Sequence, residues 1–358
     1  INLSAIKSNV ATLKAKAGVD LMAVVKADAY GHGLVPVAKV ALEGGATWLG
    51  VALLEEAIAL RTAGITAPIL AWLVPPGSDY QSAIDKDIDL AVSSIKALDE
   101  IRLLKGSKRP RIHLEVDTGM TRGGFLSEWS EIDRDHLQGV EIVGIFSHFA
   151  RADEPGQAQN LEQINRFKKM VANLDSFGFT NLIRHLSNSA ATLVDHSSAF
   201  DMVRAGIAMY GLTPDLNHLG TSQSLGLKPA MTLRAKLHLV KAVPAGSPVG
   251  YGATEKTKSN TTLGVVAMGY ADGIPRIAKG AGIFFNGKRA PIIGRVSMDQ
   301  FVVDLGADTK AQTGDWVTIF GAGDAGEYTA DDWGGASSSI NYEIVTRIGP
   351  RVPRIYEL

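Results

Sequence analysis

The sequence predicts an α/β protein, an N-terminal (β/α)8 barrel of the TIM type followed by a mostly β C-terminal domain. Three observations carry that prediction. Short apolar runs alternate with helical patterns through the first two-thirds of the chain. Eight such runs fit into roughly 200 residues, the size of a barrel of this kind. Past Lys228 the pattern changes.

The runs at 21–25, 48–51, 69–72, 88–92, 111–116, 140–146, 182–186 and 201–203 read as buried strands, because a strand covered on both faces shows continuous apolar character. Helical patterns at 6–17, 35–42, 54–62, 95–104 and 161–177 separate many of them. Strands alternating with helices imply a parallel sheet with helices outside it. A doubly wound open sheet is the alternative arrangement of the same units. After Lys228 the segments 233–243, 262–268, 283–285, 300–305 and 316–320 are short, rich in Val, Ile and Thr, and separated by Gly, Pro and Asn. Asn286-Gly287 is a hairpin-turn pair. The expected domains are 1–227 and 228–358.

A chain of 358 residues, 46% apolar, can bury a sizeable core. Its net charge of -1 leaves no electrostatic footprint for nucleic acid or an anionic membrane. With no cysteine, disulfides, thiolate metal sites and a Cys nucleophile are excluded. No HExxH or similar spacing points to a metal. No apolar run approaches the roughly 20 residues that cross a bilayer, and no charged-then-apolar leader follows Ile1. The expectation is a soluble, cytoplasmic protein with neither nucleic acid nor membrane as partner.

In a barrel of this type, chemistry collects at the C-terminal ends of the strands. The first strand ends on Lys26, in AVVKADAYGHG. Partial burial there disfavours the ammonium, and the neutral amine is the form that condenses with an aldehyde. A strand-end lysine that snorkels to water is the plainer reading. Tyr30, Gly31 and Gly33 follow in a loop where glycine lets backbone approach a ligand. Arg122 lies among Gly119, Gly123 and Gly124, where a guanidinium suits a carboxylate or phosphate or is simply solvated. His148 ends the sixth strand, as a catalyst or as a structural histidine. Ser189 opens a helix after the seventh, as a phosphate site or as an ordinary N-cap. Arg204 and the Gly206-Ile207 backbone end the eighth. Together these groups suit an anionic cofactor with an aldehyde. GAGDAG at 321–326 fits a dinucleotide fingerprint, but the acidic EYTADDWGG after it lacks a helical apolar face and reads as loop.

AVVKADAYGHG, VDTGMTRGG, SHFARADE, NSAA, MVRAGIAMYG, VGYGAT, GYADGIPR, GRVSMDQ and INYEIVTRI stand in the order found in alanine racemases, and the chain resembles that family over its whole length. INLSAIKSNV resembles the family's opening segment, which implies that a few residues precede Ile1. The resemblance implies a pyridoxal 5'-phosphate (PLP) binding barrel with a β domain, interconverting L- and D-alanine by two bases. Lys26 would bind the cofactor covalently and act on one face; Tyr251 would be the base on the other. Tyr30, Ser189, Gly206, Ile207 and Tyr342 would hold the phosphate, and Arg204 would face the pyridine nitrogen. His148 would link Tyr251 to Arg204. Arg122, with the Met298 backbone, would bind the substrate carboxylate. Tyr251, Met298 and Asp299 would come from a second copy, giving a homodimer with shared active sites. Asp153, Tyr270, Arg276 and Arg295 resemble residues lining the substrate corridor. The implied role is D-alanine supply for peptidoglycan.

One position departs from the family pattern. Many relatives carry a lysine two residues before DTG, which becomes carbamylated; here the residue is Glu115. Its carboxylate is expected to pair with Arg122 directly, in place of the carbamate; the alternative is that Glu115 points elsewhere and Arg122 relies on another partner. Competing functions are a broad-spectrum racemase of the same fold, a decarboxylase of the same barrel type, and a non-catalytic PLP-binding protein. The last is a single barrel, so the region from Lys228 argues against it.

Overall fold

The structure is a computed structural model that describes residues 1–104, 106 and 108–358. It divides into two compact units, Leu3–Ala29 with Gly33–Lys228, and Ile1–Asn2 with Tyr30–His32 and Pro229–Leu358.

The first unit is a parallel barrel of β1 (Asp20–Val24), β2 (Trp48–Val51), β3 (Ile69–Ala71), β4 (Asp89–Val92), β5 (Arg111–Glu115), β6 (Glu141–Phe146), β7 (Ile183–His185) and β8 (Met202–Ala205). The order is β7-β6-β5-β4-β3-β2-β1-β8. β1 pairs in parallel with both β2 and β8, which rules out the reversal of a doubly wound sheet. The seam between β7 and β8 is drawn together by Asp201 N donating to Arg184 O at 3.1 Å and Arg204 N donating to Ser187 O at 2.9 Å. Every residue of β2, β3, β4 and β8 is buried, which is why these strands read as unbroken apolar runs. Met22, Trp48, Leu70, Ala91, Phe146 and Met202 form one cluster of this core.

Helices Leu3–Ala17, Leu34–Glu43, Leu54–Thr62, Ile95–Arg102 and Ala158–Ser176 match the periodic stretches of the sequence. The short helix Tyr80–Asp85 was not legible. It follows Pro75-Pro76-Gly77 and is set by its cap, Asp79, whose Oδ1 accepts from Ser82 N at 3.1 Å. Among the described residues no helix is long and apolar enough to cross a membrane.

The second unit holds an antiparallel six-stranded sheet of β9 (Leu233–Val243), β12 (Thr261–Val266), β13 (Gly282–Phe285), β14 (Lys288–Pro291), β15 (Phe301–Asp304) and β16 (Trp316–Phe320), with the small pair β10 (Pro248–Val249) and β11 (Glu255–Lys256) beside it in sequence. Asn286 and Gly287 have φ of 46° and 77°, the left-handed pair that a two-residue hairpin requires. The stretch after GAGDAG is not all loop, as its sequence suggested. Thr329 caps a helix, Ala330–Ala336, through a reciprocal bond pair with Asp332, and the helix buries Trp333, whose Nε1 donates to Ile319 O at 2.9 Å. β16 pairs antiparallel with β9 and β13, so the glycines lie outside any βαβ unit.

Candidate active site

Lys26 follows β1 directly, half-buried, with its Nζ 5.7 Å from the centroid of the Trp72 ring. Its pKa is lowered by burial first, then by Arg122 and Arg204, with Glu56 pulling the other way. Trp72 was read in the sequence only as the end of a buried strand. A tryptophan at the C-terminal end of a barrel strand was the available signal.

The segment after Lys26 is not a loop freed by glycine. Ala27, Asp28, Ala29 and Tyr30 all have φ of 53°, and Gly31 continues at 77°, so Lys26–Gly31 winds as a left-handed helical turn. Each such L-residue costs about 1–2 kcal/mol, and no propensity anticipates four in succession. The bonds that offset the strain are local. Glu56 accepts from Ala27 N at 2.5 Å through one carboxylate oxygen, and from Ala52 N and Leu53 N at 3.0 Å through the other. Ala29 N donates to Val25 O, and Gly33 N to Asp28 O, each at 2.9 Å. Asp28 Oδ1 accepts from Leu34 N at 2.8 Å. Lys26 therefore stands between a β-strand and an over-determined turn.

Arg204, on β8, is buried. Nη1 donates to His185 O at 2.7 Å and meets His185 Nδ1 at 3.2 Å. Nη2 donates to Ser147 O at 2.6 Å and Leu186 O at 3.2 Å, and meets His148 Nδ1 at 3.2 Å. Nε has no partner among the described residues. Burial pushes the guanidinium down to about 10, with Glu115 opposing and Arg122 adding, so it stays charged at neutral pH. Burial and then Arg204, Arg122 and Lys26 hold His148 well below the ordinary histidine value. A neutral His148 whose Nδ1 accepts from Arg204 carries its proton on Nε2.

Ser189 is the first residue of the helix Ser189–Val194, but the cap is Asn188, whose side chain accepts from Ala191 N at 3.0 Å. The Ser189 hydroxyl accepts from Gly206 N at 2.8 Å and Ala208 N at 3.4 Å, which leaves its own hydrogen to donate. Ile207 begins the 3-10 turn Ile207–Tyr210.

Arg122 and Glu115 do not meet as the sequence suggested: no ion pair joins them among the described residues. Asp117 explains the difference. Its Oδ1 accepts from Gly119, Met120 and Thr121 N–H groups at 2.8, 3.1 and 3.1 Å, fixing a turn that leaves Arg122 exposed. Glu115 lies against Gly123, where a Cβ would stand 3.2 Å from its Oε1. Burial raises its pKa, with Arg204 and Arg122 opposing. Asp153 is half-buried in the same unit.

In the other unit, Tyr251 opens the turn Tyr251–Ala253 between Gly250 and Gly252, at φ of 71° and 76°, and is 72% exposed. Met298 is also exposed; its carbonyl accepts from Ala271 N at 2.9 Å, while its N–H has no partner among the described residues. Asp299 accepts from Arg351 at 2.8 Å. Tyr270 begins the turn Tyr270–Asp272, and Arg276 and Arg295 are exposed. The Tyr30 and Tyr342 rings lie 6.4 Å apart. Gly31 brings this segment close to the helix Asn341–Thr346, since a Cβ there would stand 2.3 Å from Val345 O. Among the described residues no group of three or more His, Cys, Asp or Glu side chains could hold a metal.

Comparison with known proteins fits this arrangement. The family model described as "Alanine racemase, N-terminal domain" matches residues 1–214, and "Alanine racemase, C-terminal domain" matches residues 230–356. The alanine racemase of Frankia casuarinae is 49% identical over 99% of this chain and 95% of its own. The crystal structure of alanine racemase from Streptomyces lavendulae superposes with a TM-score of 0.97 at 48% identity, covering 100% of this chain and 96% of that one. That of the Bacillus anthracis alanine racemase with bound L-Ala-P gives a TM-score of 0.89 at 40% identity, covering 100% and 94%.

Proposed function

Because the chain belongs to the alanine racemase family, its reaction is the interconversion of L-alanine and D-alanine, and we propose that Lys26 and the Tyr251 of a second copy move the α-proton on opposite faces of the substrate. The observation that carries this reading is Lys26 itself: an amine disfavoured as ammonium by burial and two guanidiniums, fixed between a strand and a left-handed turn.

The residues present fit PLP. Lys26 would supply the amine for its aldehyde, and Arg204, with both terminal nitrogens engaged by the barrel, would have its Nε–H left to offer a ring nitrogen. Tyr30, Ser189, Gly206, Ile207 and Tyr342 would hold its phosphate through hydroxyls and backbone N–H groups. When bound, the cofactor acidifies the substrate's α C–H by delocalising the electron pair left behind.

Racemisation then asks the protein for a base on each face of the same carbon. Lys26 supplies one. Tyr251 supplies the other, and a phenol acts as a base only as its phenolate, which needs stabilising. His148 gives that stabilisation: its Nε2–H can donate to the phenolate oxygen while Nδ1 stays tied to the fixed charge of Arg204. Arg122 and the Met298 N–H would hold the substrate carboxylate, with Asp299 beside Met298. Asp153, Tyr270, Arg276 and Arg295 would line the approach. A catalytic tyrosine that is 72% exposed supports a homodimer in which Tyr251, Met298 and Asp299 complete the site of another copy. The product, D-alanine, would serve cell-wall peptide synthesis in the cytoplasm.

The test is α-hydrogen exchange in D2O with the holoenzyme. Tyr251→Phe should abolish exchange out of L-alanine while leaving exchange out of D-alanine measurable. Lys26→Ala should show no exchange from either enantiomer, because it also removes the cofactor's attachment. Equal residual exchange from both enantiomers in Tyr251→Phe would refute the face assignment.

A further inference from the structure

Four buried polar side chains line up inside the barrel. The line begins at Asp89, the first residue of β4, and ends at Arg204 on β8. Asp89 lies at the N-terminal end of the strands, opposite the end that carries Lys26. Arg111 grips its carboxylate with two bonds, Nε to Oδ1 at 2.9 Å and Nη2 to Oδ2 at 3.1 Å. His113 Nε2 faces Asp89 Oδ2 at 3.4 Å, an ion-pair distance, and makes no hydrogen bond of ordinary geometry among the described residues. His113 Nδ1 meets His185 Nε2 at 2.9 Å. His185 Nδ1 meets Arg204 Nη1 at 3.2 Å.

We propose that Asp89 is a positioning residue for Arg204, which fixes the tautomers of His113 and His185 so that the guanidinium always meets a lone pair. Chemistry at both ends of the line demands the same polarity. A guanidinium has no acceptor, so His185 Nδ1 must present its lone pair to Arg204. Burial, Arg204 and His113 hold His185 well below the ordinary histidine value, so the ring is neutral and its proton sits on Nε2. That proton makes His113 Nδ1 the acceptor, which leaves the His113 proton on Nε2, facing Asp89. An ionised carboxylate can only accept. Burial pulls the Asp89 carboxyl upward, but the bonds from His113 and Arg111 outweigh it and keep the group below the usual carboxylate range. Polarity therefore runs in one direction, Arg204 to His185 to His113, with the His113 Nε2–H turned toward the Asp89 carboxylate.

The surrounding core is shaped to this line. A Cβ on residue 144 would stand 2.6 Å from His113 Nδ1, so Gly144 makes the space for the ring. Trp48 packs edge-on to His113 with centroids 5.3 Å apart, and Phe146 stacks on His185 at 4.9 Å and 14°. These walls leave both imidazoles fully buried. The reversed polarity would set a His185 N–H against an Arg204 N–H. It would also turn the guanidinium that, on the reading proposed above, must offer Nε to the cofactor.

Asp89→Asn separates this proposal from a packing role. Arg111 will keep the amide oxygen, so the amide nitrogen faces His113 as a donor, the two ends of the line ask for opposite polarities, and neither imidazole keeps a single tautomer. In nitrogen NMR of histidine-labelled holoenzyme, the wild type should show pyrrole-type Nε2 and pyridine-type Nδ1 for both rings. Asp89→Asn should show a mixture of both forms. Losing one charge-assisted bond at Arg204 should cut kcat by about tenfold or more, with KM for alanine unchanged because Arg204 does not bind the substrate carboxylate. The cofactor's absorption band should shift with it.

Should Asp89→Asn not fold, His113→Leu removes the middle link and leaves Asp89 with Arg111. His185 should then sample both tautomers, with the same loss confined to kcat. Unchanged tautomers in either variant overturn the proposal whatever the rate. Altered tautomers with unchanged kcat and cofactor spectrum overturn it too. A wild type with the stated tautomers but no two-faced proton exchange would instead sink the two-base reading, and leave the relay standing.

Discussion

Arg204 and Tyr251 are assigned to one reaction, yet their surroundings differ completely. Arg204 is buried, and its terminal nitrogens face five acceptors on Ser147, His148, His185 and Leu186. Tyr251 is 72% exposed on a turn held by two glycines. The barrel's part of the chemistry is organised before any ligand arrives, and the β domain's part is displayed. A base left in water would be solvated and poorly placed. The difference is what the proposed sharing of sites between copies requires: a preorganised barrel side and a Tyr251 left on the surface of its own chain.

That comparison can be broken by mixing inactive chains. Lys26→Ala and Tyr251→Phe variants should each be inactive in L-alanine racemisation. If sites are shared, a mixed dimer carries both lesions in one site and neither in the other. Random pairing should then restore about a quarter of wild-type activity. Activity that stays at background after subunit exchange, in a preparation shown by mass to contain mixed dimers, would place both bases in one chain.

A second, smaller effect follows from the barrel's dry interior. His148 and His185 are both held well below the ordinary histidine value, first by burial and then by Arg204. As pH falls below about 6.5 the unfolded chain takes up protons that the folded chain refuses. Stability is therefore full above the ordinary value and is lost on acidification, by about 1.4 kcal/mol per pH unit for each histidine. Denaturant unfolding between neutral pH and pH 5 should show this slope. His148→Gln should remove one histidine's share. A slope that does not change in that variant would mean His148 is charged in the folded protein.

Much of this was legible in the sequence because the barrel is built from contiguous apolar runs. Trp48–Val51, Leu54–Thr62, Leu233–Val243 and Trp316–Phe320 have the limits that pattern alone assigns. The ends of the other strands shifted by a residue or two, since nothing in an apolar run says where pairing stops. Lys26, Arg204 and Ser189 stood out because strand ends were read for polar groups. What escaped was set by partners distant in sequence. Asp89, His113 and His185 are polar residues inside strands, and only the closed barrel brings them into line. Asp117 leaves Arg122 without the Glu115 pair because it gathers three backbone N–H groups, a loop geometry that spacing does not encode. The helix Ala330–Ala336 escaped because its buried face, Ala330, Trp333 and Gly334, carries only one large apolar side chain.

The finest contrast lies between the two turns that carry the proposed bases. Around Tyr251, positive φ falls on Gly250, Gly252 and Ala253. After Lys26 it falls on Ala27, Asp28, Ala29 and Tyr30, where glycine would relieve the strain. An L-residue has fewer alternatives in such a turn than glycine, so the strained choice holds Lys26 more stiffly. Ala27 is exposed, so Ala27→Gly changes backbone freedom and little else. The folded state should gain about 1–2 kcal/mol from relieved strain. The unfolded chain should gain about 0.5–1 kcal/mol of entropy against it. Unfolding free energy should thus rise slightly or hold, while kcat falls a few-fold as the Lys26 turn loosens. Faster amide exchange at residues 27–29 in the holoenzyme would accompany the loss. A variant that is less stable would show that Ala27 carries no strain, and one with unchanged kcat and exchange would show that the turn's stiffness is not what places Lys26.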